Sequence, residues 1–242
     1  MKRFLLCLVM VLCGCLDIGS AKAESLIVGV MSADRPPYFW KDDSGGYRGL
    51  YIDLLNELTK ETSIHFSYKA LPMARIRLYM VAEKIDVEVG VAKRWRKEKA
   101  EVENSVYSIP FMKTELVFVM HSMPGNLGIT RSTPADGMFC SILGFSVPKM
   151  AGEKDRQYVL SERQLLKMID KKRCDYTVMQ YNIFSHLMRE NSYDLVASSS
   201  FKTYDVRLRL NKKHEWLLPR INEGLRRMKL NGRLASILKR YR

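Results

Sequence analysis

The chain opens on an apolar run from Phe4 to Leu16, and from Ser25 onward apolar positions fall into short blocks of two kinds. "SLIVGV" is a continuous apolar stretch of strand length, while Leu50, Leu54, Leu55 and Leu58 recur at the spacing that gives a helix one apolar face. "IHFSYKAL" alternates as a strand, and "PMARIRLYMVAEK" follows as a helix with Pro72 in its first turn, where a missing N–H does no harm. "IDVEVGVA" and "ELVFVM" are further strands, the second ending at the turn-rich "HSMPGNLG". A second series repeats the alternation: "GMFCSILGFSVP" as strand and turn, "SERQLLKMIDKK" as a helix that Ser161 can cap, "CDYTVMQ" as strand, "YNIFSHLMREN" as short helix, then "YDLVASS" and "YDVRLRL" as strands. The tail reads as two helices, with Ile221, Leu225, Met228, Leu234, Ile237 and Leu238 as their buried stripe. Strands alternating with helices predict an α/β fold with a mostly parallel sheet and crossover helices. No internal repeat or low-complexity linker separates the two series.

The first block has a different destiny. Lys2 and Arg3, the apolar run and Ala21-Lys22-Ala23 fit a secretory signal peptide over residues 1–23, and the run is too short to span a bilayer. Two alternatives compete: a buried first helix, and lipidation at Cys15, because Leu12-Cys13-Gly14-Cys15 resembles the lipobox of bacterial lipoproteins. Either export route predicts a periplasmic protein. Only Cys140 and Cys174 then remain certain members of the folded domain, and an even pair in an oxidising compartment suggests one disulfide. Two separately buried thiols are the alternative. A bond would close a loop of about 35 residues and stabilise by roughly 3–4 kcal/mol in the chain-entropy model.

Formal net charge is +14 over the whole chain. Such a surface attracts nucleic acid, anionic lipid or acidic solutes, and export makes nucleic acid the weakest of the three. The basic C-terminal stretch carries helical apolar spacing on one face, so it reads first as a docked amphipathic pair with a solvated basic side. His65, His121, His186 and His214 are scattered, and no Cys/His cluster, P-loop or Gly-x-Ser-x-Gly pattern points to a metal, a cofactor or a catalytic centre. Asp34 and Glu88 are the carboxylates that burial could retune for acid–base work.

In their order and spacing, "VGV…RPPYFW…GGYRGLYIDLLNEL", "LPMARIRLYMVAEKIDVEVGVAKRWRKEK", "YSIPFMKTELVFVM", "LGFSVP", "CDYTVMQ" and "LLPRINEGLRRMKLNGRLASILKRY" resemble the bacterial periplasmic solute-binding proteins of the amino-acid-binding type, solute-binding protein family 3. The resemblance covers essentially all of the chain after residue 23. It implies a type 2 periplasmic binding fold: two lobes, each a mixed, mostly parallel sheet flanked by helices, joined by two hinge strands. The implied division is 24–121 and 205–242 for lobe one and 122–204 for lobe two, with crossings near Met120–Met123 and Thr203–Asp205. The implied ligand is a small polar, carboxylate-bearing solute, an amino acid or other small anion, bound by a monomer for ABC-type uptake or presentation to a membrane sensor. A dehydratase-like exported enzyme on the same scaffold and a cationic envelope interaction protein are the alternatives.

Six residues are candidate ligand contacts. Arg96 falls where the family clamps a ligand carboxylate, and a guanidinium fork matches that group bidentately. The family usually has a small hydroxyl residue near the position of Lys93, and a solvated basic turn is the other reading of "KRWRKEK". Arg35 replaces an aromatic that stacks on the ligand, and Gln180 replaces an aspartate that pairs with its ammonium. Arg75 follows Pro72 in a pattern similar to a poorly characterised branch of the family, although a helix-surface arginine is ordinarily solvated. Ser146 sits at a strand-to-helix turn whose free amides can cradle an anion, or simply cap. Tyr38 lies beyond Pro36-Pro37, whose fixed φ predicts a stiff, extended exit that holds aromatics at the cleft mouth. Phe39 and Trp40 read better as cover for the sheet edge.

Overall fold

The computed structural model describes residues 24–122, 137–146 and 156–241. The expected leader with Cys15, the "MPGNLG" turn and the residues following Ser146 lie outside them.

The first series gives β1 (Ser25–Met31), the hairpin β2 (Trp40–Lys41) and β3 (Tyr47–Arg48), α1 (Leu50–Thr62), β4 (His65–Leu71), α2 (Met73–Val81), β5 (Val87–Val91), a 3₁₀ turn (Lys93–Trp95), α3 (Lys99–Glu103), β6 (Ser105–Tyr107) and β7 (Met112–His121). The second gives β8 (Phe139–Ile142), β9 (Arg156–Val159), α4 (Glu162–Asp170), β10 (Tyr176–Gln180), α5 (Tyr181–Glu190), β11 (Leu195–Ala197) and β12 (Lys202–Asn211), before α6 (Leu218–Leu230) and α7 (Arg233–Arg240). Ser161 caps α4 as its sequence promised: its Oγ accepts the Gln164 N–H at 3.2 Å. Pro72 stands one position earlier than expected, as the N-cap of α2, with its carbonyl accepting from Arg75 and Ile76.

The main strands run in the order β4-β1-β5-β12-β7-β10-β8-β9, with β6 beside β12 and β11 beside β7. On one side β1 pairs parallel with β4 and β5; on the other β8 pairs parallel with β10 and β9. The antiparallel strands β7 and β12 join them. Lys202–Val206 of β12 pairs with Met112–Leu116 of β7, after which β12 pairs with β5 from Arg207 and β7 pairs with β10 from Leu116. This is a two-lobed α/β fold in which two long strands each serve both lobes.

Helical spacing accounts for the larger core. Leu54, Leu55 and Leu58 of α1 and Ile221, Leu225 and Met228 of α6 are buried together, each at a gain of about 1.5–3 kcal/mol on full burial. The expected tail stripe is therefore present, with Leu238 only half-buried at its end. Arg233 to Glu57 at 2.6 Å, Arg227 to Glu61 at 2.9 Å and Arg240 to Asp53 at 3.2 Å then lay the basic tail on α1. Such solvated pairs add little stability, so the apolar stripe fixes the docking.

One local expectation fails. The chain leaving β1 does not run extended through the prolines but turns back on itself. The Arg35 N–H donates to Phe39 O at 2.7 Å, while the Tyr38 and Phe39 N–H groups both return to Arg35 O. The Pro36–Pro37 peptide is cis. Residues without an N–H suit the inside of such a loop, which needs its donors only at Arg35, Tyr38 and Phe39.

Cys140 on β8 and Cys174 just before β10 form the disulfide, 34 positions apart and both buried. Replacing both by serine should lower stability by roughly 3–4 kcal/mol. At about 2–4 °C per kcal/mol for a chain of this size, the melting temperature should drop by some 6–16 °C, as calorimetry can measure. A change below about 1 °C would mean that the bond adds nothing to the fold.

Candidate functional site

Open parallel sheets bind ligands beyond the carboxyl ends of their strands, where the loops have no ladder partners to serve. Here every parallel strand points its C-terminal end at one cavity. Arg35 and Phe39 follow β1, Met73 and Ile76 open α2 after β4, and Trp95 and Arg96 follow β5. From the other side come Phe145 and Ser146 after β8, Glu162 after β9 and Gln180 at the end of β10. The lobes meet over this cavity. Arg77 on α2 donates to Gly144 O at 3.1 Å, and Ser146 Oγ bonds to Trp95 O. Gly144 adopts φ +91°, and a Cβ there would fall 2.5 Å from the Ala74 backbone nitrogen, so only glycine allows the β8 turn to approach α2 so closely.

Behind the β5 wall lies a buried cluster of five charges. The Arg96 fork holds Glu88 through Nε to Oε2 at 3.2 Å and through Nη2 to Oε1. Arg209 on β12, fully buried, donates to the same Glu88 Oε2 at 2.9 Å and to Ser105 Oγ at 2.7 Å. Arg77 clasps Glu101 of α3 with Nε at 2.7 Å and Nη2 at 2.5 Å. Burial alone would raise the Glu88 carboxyl, but the charges and hydrogen bonds of Arg96 and Arg209 outweigh it and hold the group below the usual glutamate range.

A second ion pair crosses the cleft. Arg35 Nε donates to Glu162 Oε1 at 2.6 Å, and its guanidinium lies 5.3 Å from the centres of the Tyr38 and Phe145 rings. Glu162 has a spare oxygen: Oε2 is buried without a hydrogen-bond partner, as is Oε1 of Gln180.

The family model for bacterial extracellular solute-binding proteins, family 3, matches residues 26–242. The chain belongs to that family. Solved structures share its fold at low identity. A mutant of ArgBP from T. maritima superposes with TM-score 0.76 at 18% identity, over 90% of this chain and 94% of that one. A histidine kinase sensor domain with similarity to periplasmic binding proteins gives 0.72 at 16%, over 90% and 95%. The substrate binding protein of an amino acid ABC transporter gives 0.74 at 15%, over 90% and 98%. Among curated proteins nothing matches the chain.

Against this family 3 background, the cavity gathers four of the six residues picked out by sequence: Arg35, Arg96, Ser146 and Gln180. Two stand elsewhere. Tyr38 is completely buried, stacked on Tyr51 with centroids 4.5 Å apart, because the loop's return at Arg35 turns it into the core and presents Phe39 instead. Phe39 thus lines the cavity rather than the sheet edge. Arg75 is exposed on α2, and Arg77, two positions on and so on another helix face, reaches inward. Arg96 stands where it was expected, but its fork is engaged by Glu88. Asp34, exposed, accepts the Lys41 N–H at 3.1 Å. Sequence reading missed Trp95, Phe145 and above all Glu162. An acidic residue in a first helical turn is ordinary complement to the helix dipole, so its position carried no distinguishing signal.

Glu88→Gln would leave two guanidiniums buried beside a neutral amide, and about 3–5 kcal/mol should be lost at neutral pH. Because folding depresses this carboxyl, its contribution is complete above the unfolded value near 4.3 and disappears as pH falls through the folded one. Urea midpoints should therefore fall more steeply below about pH 4.5 in the natural protein than in the variant. Parallel pH profiles would remove Glu88 from the stability of the fold.

Proposed function

We propose that this chain is an exported receptor that closes its two lobes over one small polar solute and delivers it to an inner-membrane ABC-type transporter or presents it to a sensor. It acts by binding, without catalysis, and as a monomer in the periplasm. The observation that carries the reading is the cavity between the lobes, lined from both sides and bordered by buried polar atoms without partners. A solute touching both lobes favours the closed arrangement, because only a ligand with differential affinity shifts an open–closed balance.

Ligand contacts in this reading come from Arg35, Phe39 and Trp95 on one side and Phe145, Ser146, Glu162 and Gln180 on the other, with Arg96 shaping the wall through Glu88. We draw the lobe boundaries within β7 at Leu116 and within β12 at Val206, rather than at residues 121 and 204, because each strand changes partner there. The transporter and sensor alternatives both agree with the family, whose fold occurs in a transporter's binding protein and in a kinase sensor domain.

A thermal-shift screen of amino acids, dicarboxylates, amines, sugars and short peptides tests this reading. Ligand at about 100 times its Kd should add about 2.7 kcal/mol, or roughly 5–10 °C in melting temperature. Phe145→Ala, which removes a ring facing the cavity, should weaken the hit by about tenfold or more. A panel with no saturable binder, or a hit indifferent to Phe145, would count against a solute held between the lobes.

A further inference from the structure

We propose that the solute is an organic cation, a small amine or guanidine with an apolar body and no carboxylate; this rests on the receptor reading above and specifies its ligand. The reason is what the cavity has left to offer. Both of its arginines already hold a carboxylate: Arg96 grips Glu88 bidentately, and Arg35 Nε is bonded to Glu162 Oε1 at 2.6 Å. To dock on Arg96 an incoming carboxylate would have to displace Glu88, a residue of β5 that Arg209 also grips at 2.9 Å from the far side. At Arg96 the place where a ligand carboxylate would dock is filled by the protein's own.

Two buried acceptors in the cavity lining are left unfilled. Glu162, 2% exposed, and Gln180, 5% exposed, both line the cavity, and each has a buried side-chain oxygen without a partner. An ionised carboxylate only accepts, so the free Glu162 oxygen is satisfied by an N–H or O–H and by no anion. The Gln180 amide can turn its oxygen to the same donor.

Charge points the same way. The lining charges are Arg35 and Arg96 against Glu88 and Glu162, and they already balance. A carboxylate ligand would be a third anion in a poorly solvated space, whereas a cation meets Glu162 directly. Behind the wall, Arg77 is doubly bonded to Glu101, and Arg96 and Arg209 share Glu88, so among the described residues the only carboxylate oxygen left open toward the cavity is that of Glu162. The rest of the wall is Phe39, Trp95 and Phe145 with Met73 and Ile76, suited to an alkyl or aryl body, and the ring faces favour a cation beside them.

Matched pairs that differ by one carboxylate decide the matter: agmatine with arginine, cadaverine with lysine, tyramine with tyrosine. Each is titrated calorimetrically into the protein purified in its exported form. At least one amine should bind about tenfold or more tightly than its parent amino acid. Gln180→Leu, which leaves the Arg35–Glu162 pair intact, should weaken that amine about tenfold. Glu88→Gln, by releasing the Arg96 fork, should narrow or invert the preference, a change in selectivity that a loss of packing does not produce. An amino acid or dicarboxylate bound more tightly than every amine would overturn the inference and leave the receptor reading standing, as would a sugar or peptide as the only ligand. Binding of no compound in any class would overturn both.

Discussion

Glu88 is the point on which the rest of the structure turns. Its carboxylate joins β5, the turn that follows and β12, so the strand that serves both lobes is tied to the cavity wall by a charge. Without it both guanidiniums would depend on Glu101 alone, at 3.7 Å from Arg96 and 3.8 Å from Arg209, while Arg77 already clasps that carboxylate, and removal of one member of such a buried cluster is costly. The register of β12 against β5, irregular between Arg207 and Leu208, brings the Arg209 side chain to the same carboxylate. Hence the position of a single acidic residue sets the geometry of the wall and takes Arg96 out of circulation.

The second consequence concerns closure. The lobes meet through the Arg35–Glu162 pair, the Arg77 bond to Gly144 and the Ser146 bond to Trp95, all of which use the protein's own groups. A cleft whose facing charges already neutralise one another does not need the ligand's charge to hold it shut. What remains open in the cavity is its aromatic space and the two unpartnered oxygens of Glu162 and Gln180. Glu162 divides its two oxygens accordingly: Oε1 joins the lobes through Arg35, and Oε2 is left without a partner.

The fold was legible because its signals are local. Apolar periods separated helices from strands, and Ser161 announced its helix by the chemistry of a cap. The tail stripe from Ile221 to Ile237 appears where helical spacing put it. Four of the six residues picked out by sequence do line the cavity, since residues just past strand ends in an α/β protein face its crevice. What each side chain does there was not legible. Arg35 and Glu162 are 127 positions apart, and Glu88 and Arg209 are 121 apart; nothing in the neighbourhood of any of them announces its partner. The Pro36-Pro37 loop failed for a related reason. Proline fixes φ and forbids donors, but the choice between running on and folding back depends on hydrogen bonds between Arg35 and Phe39 that no dipeptide preference encodes.

These features bear on how far family membership can be carried to a ligand. An arginine at the expected position is evidence about the backbone that places it, since the turn after β5 brings residue 96 to the cavity. Whether its donors are free is decided by residue 88, which the inheritance of the turn does not fix. Here that residue is an acid, so a shared position and a shared fold coexist with an electrostatic field at the ligand face quite unlike that of an unpaired guanidinium. The large net charge of +14 is equally uninformative about the cleft, because the four charges that line it cancel. Over distances shorter than the screening length of about 8 Å, charges lining the cavity set its local field more than the many on the outer surface do.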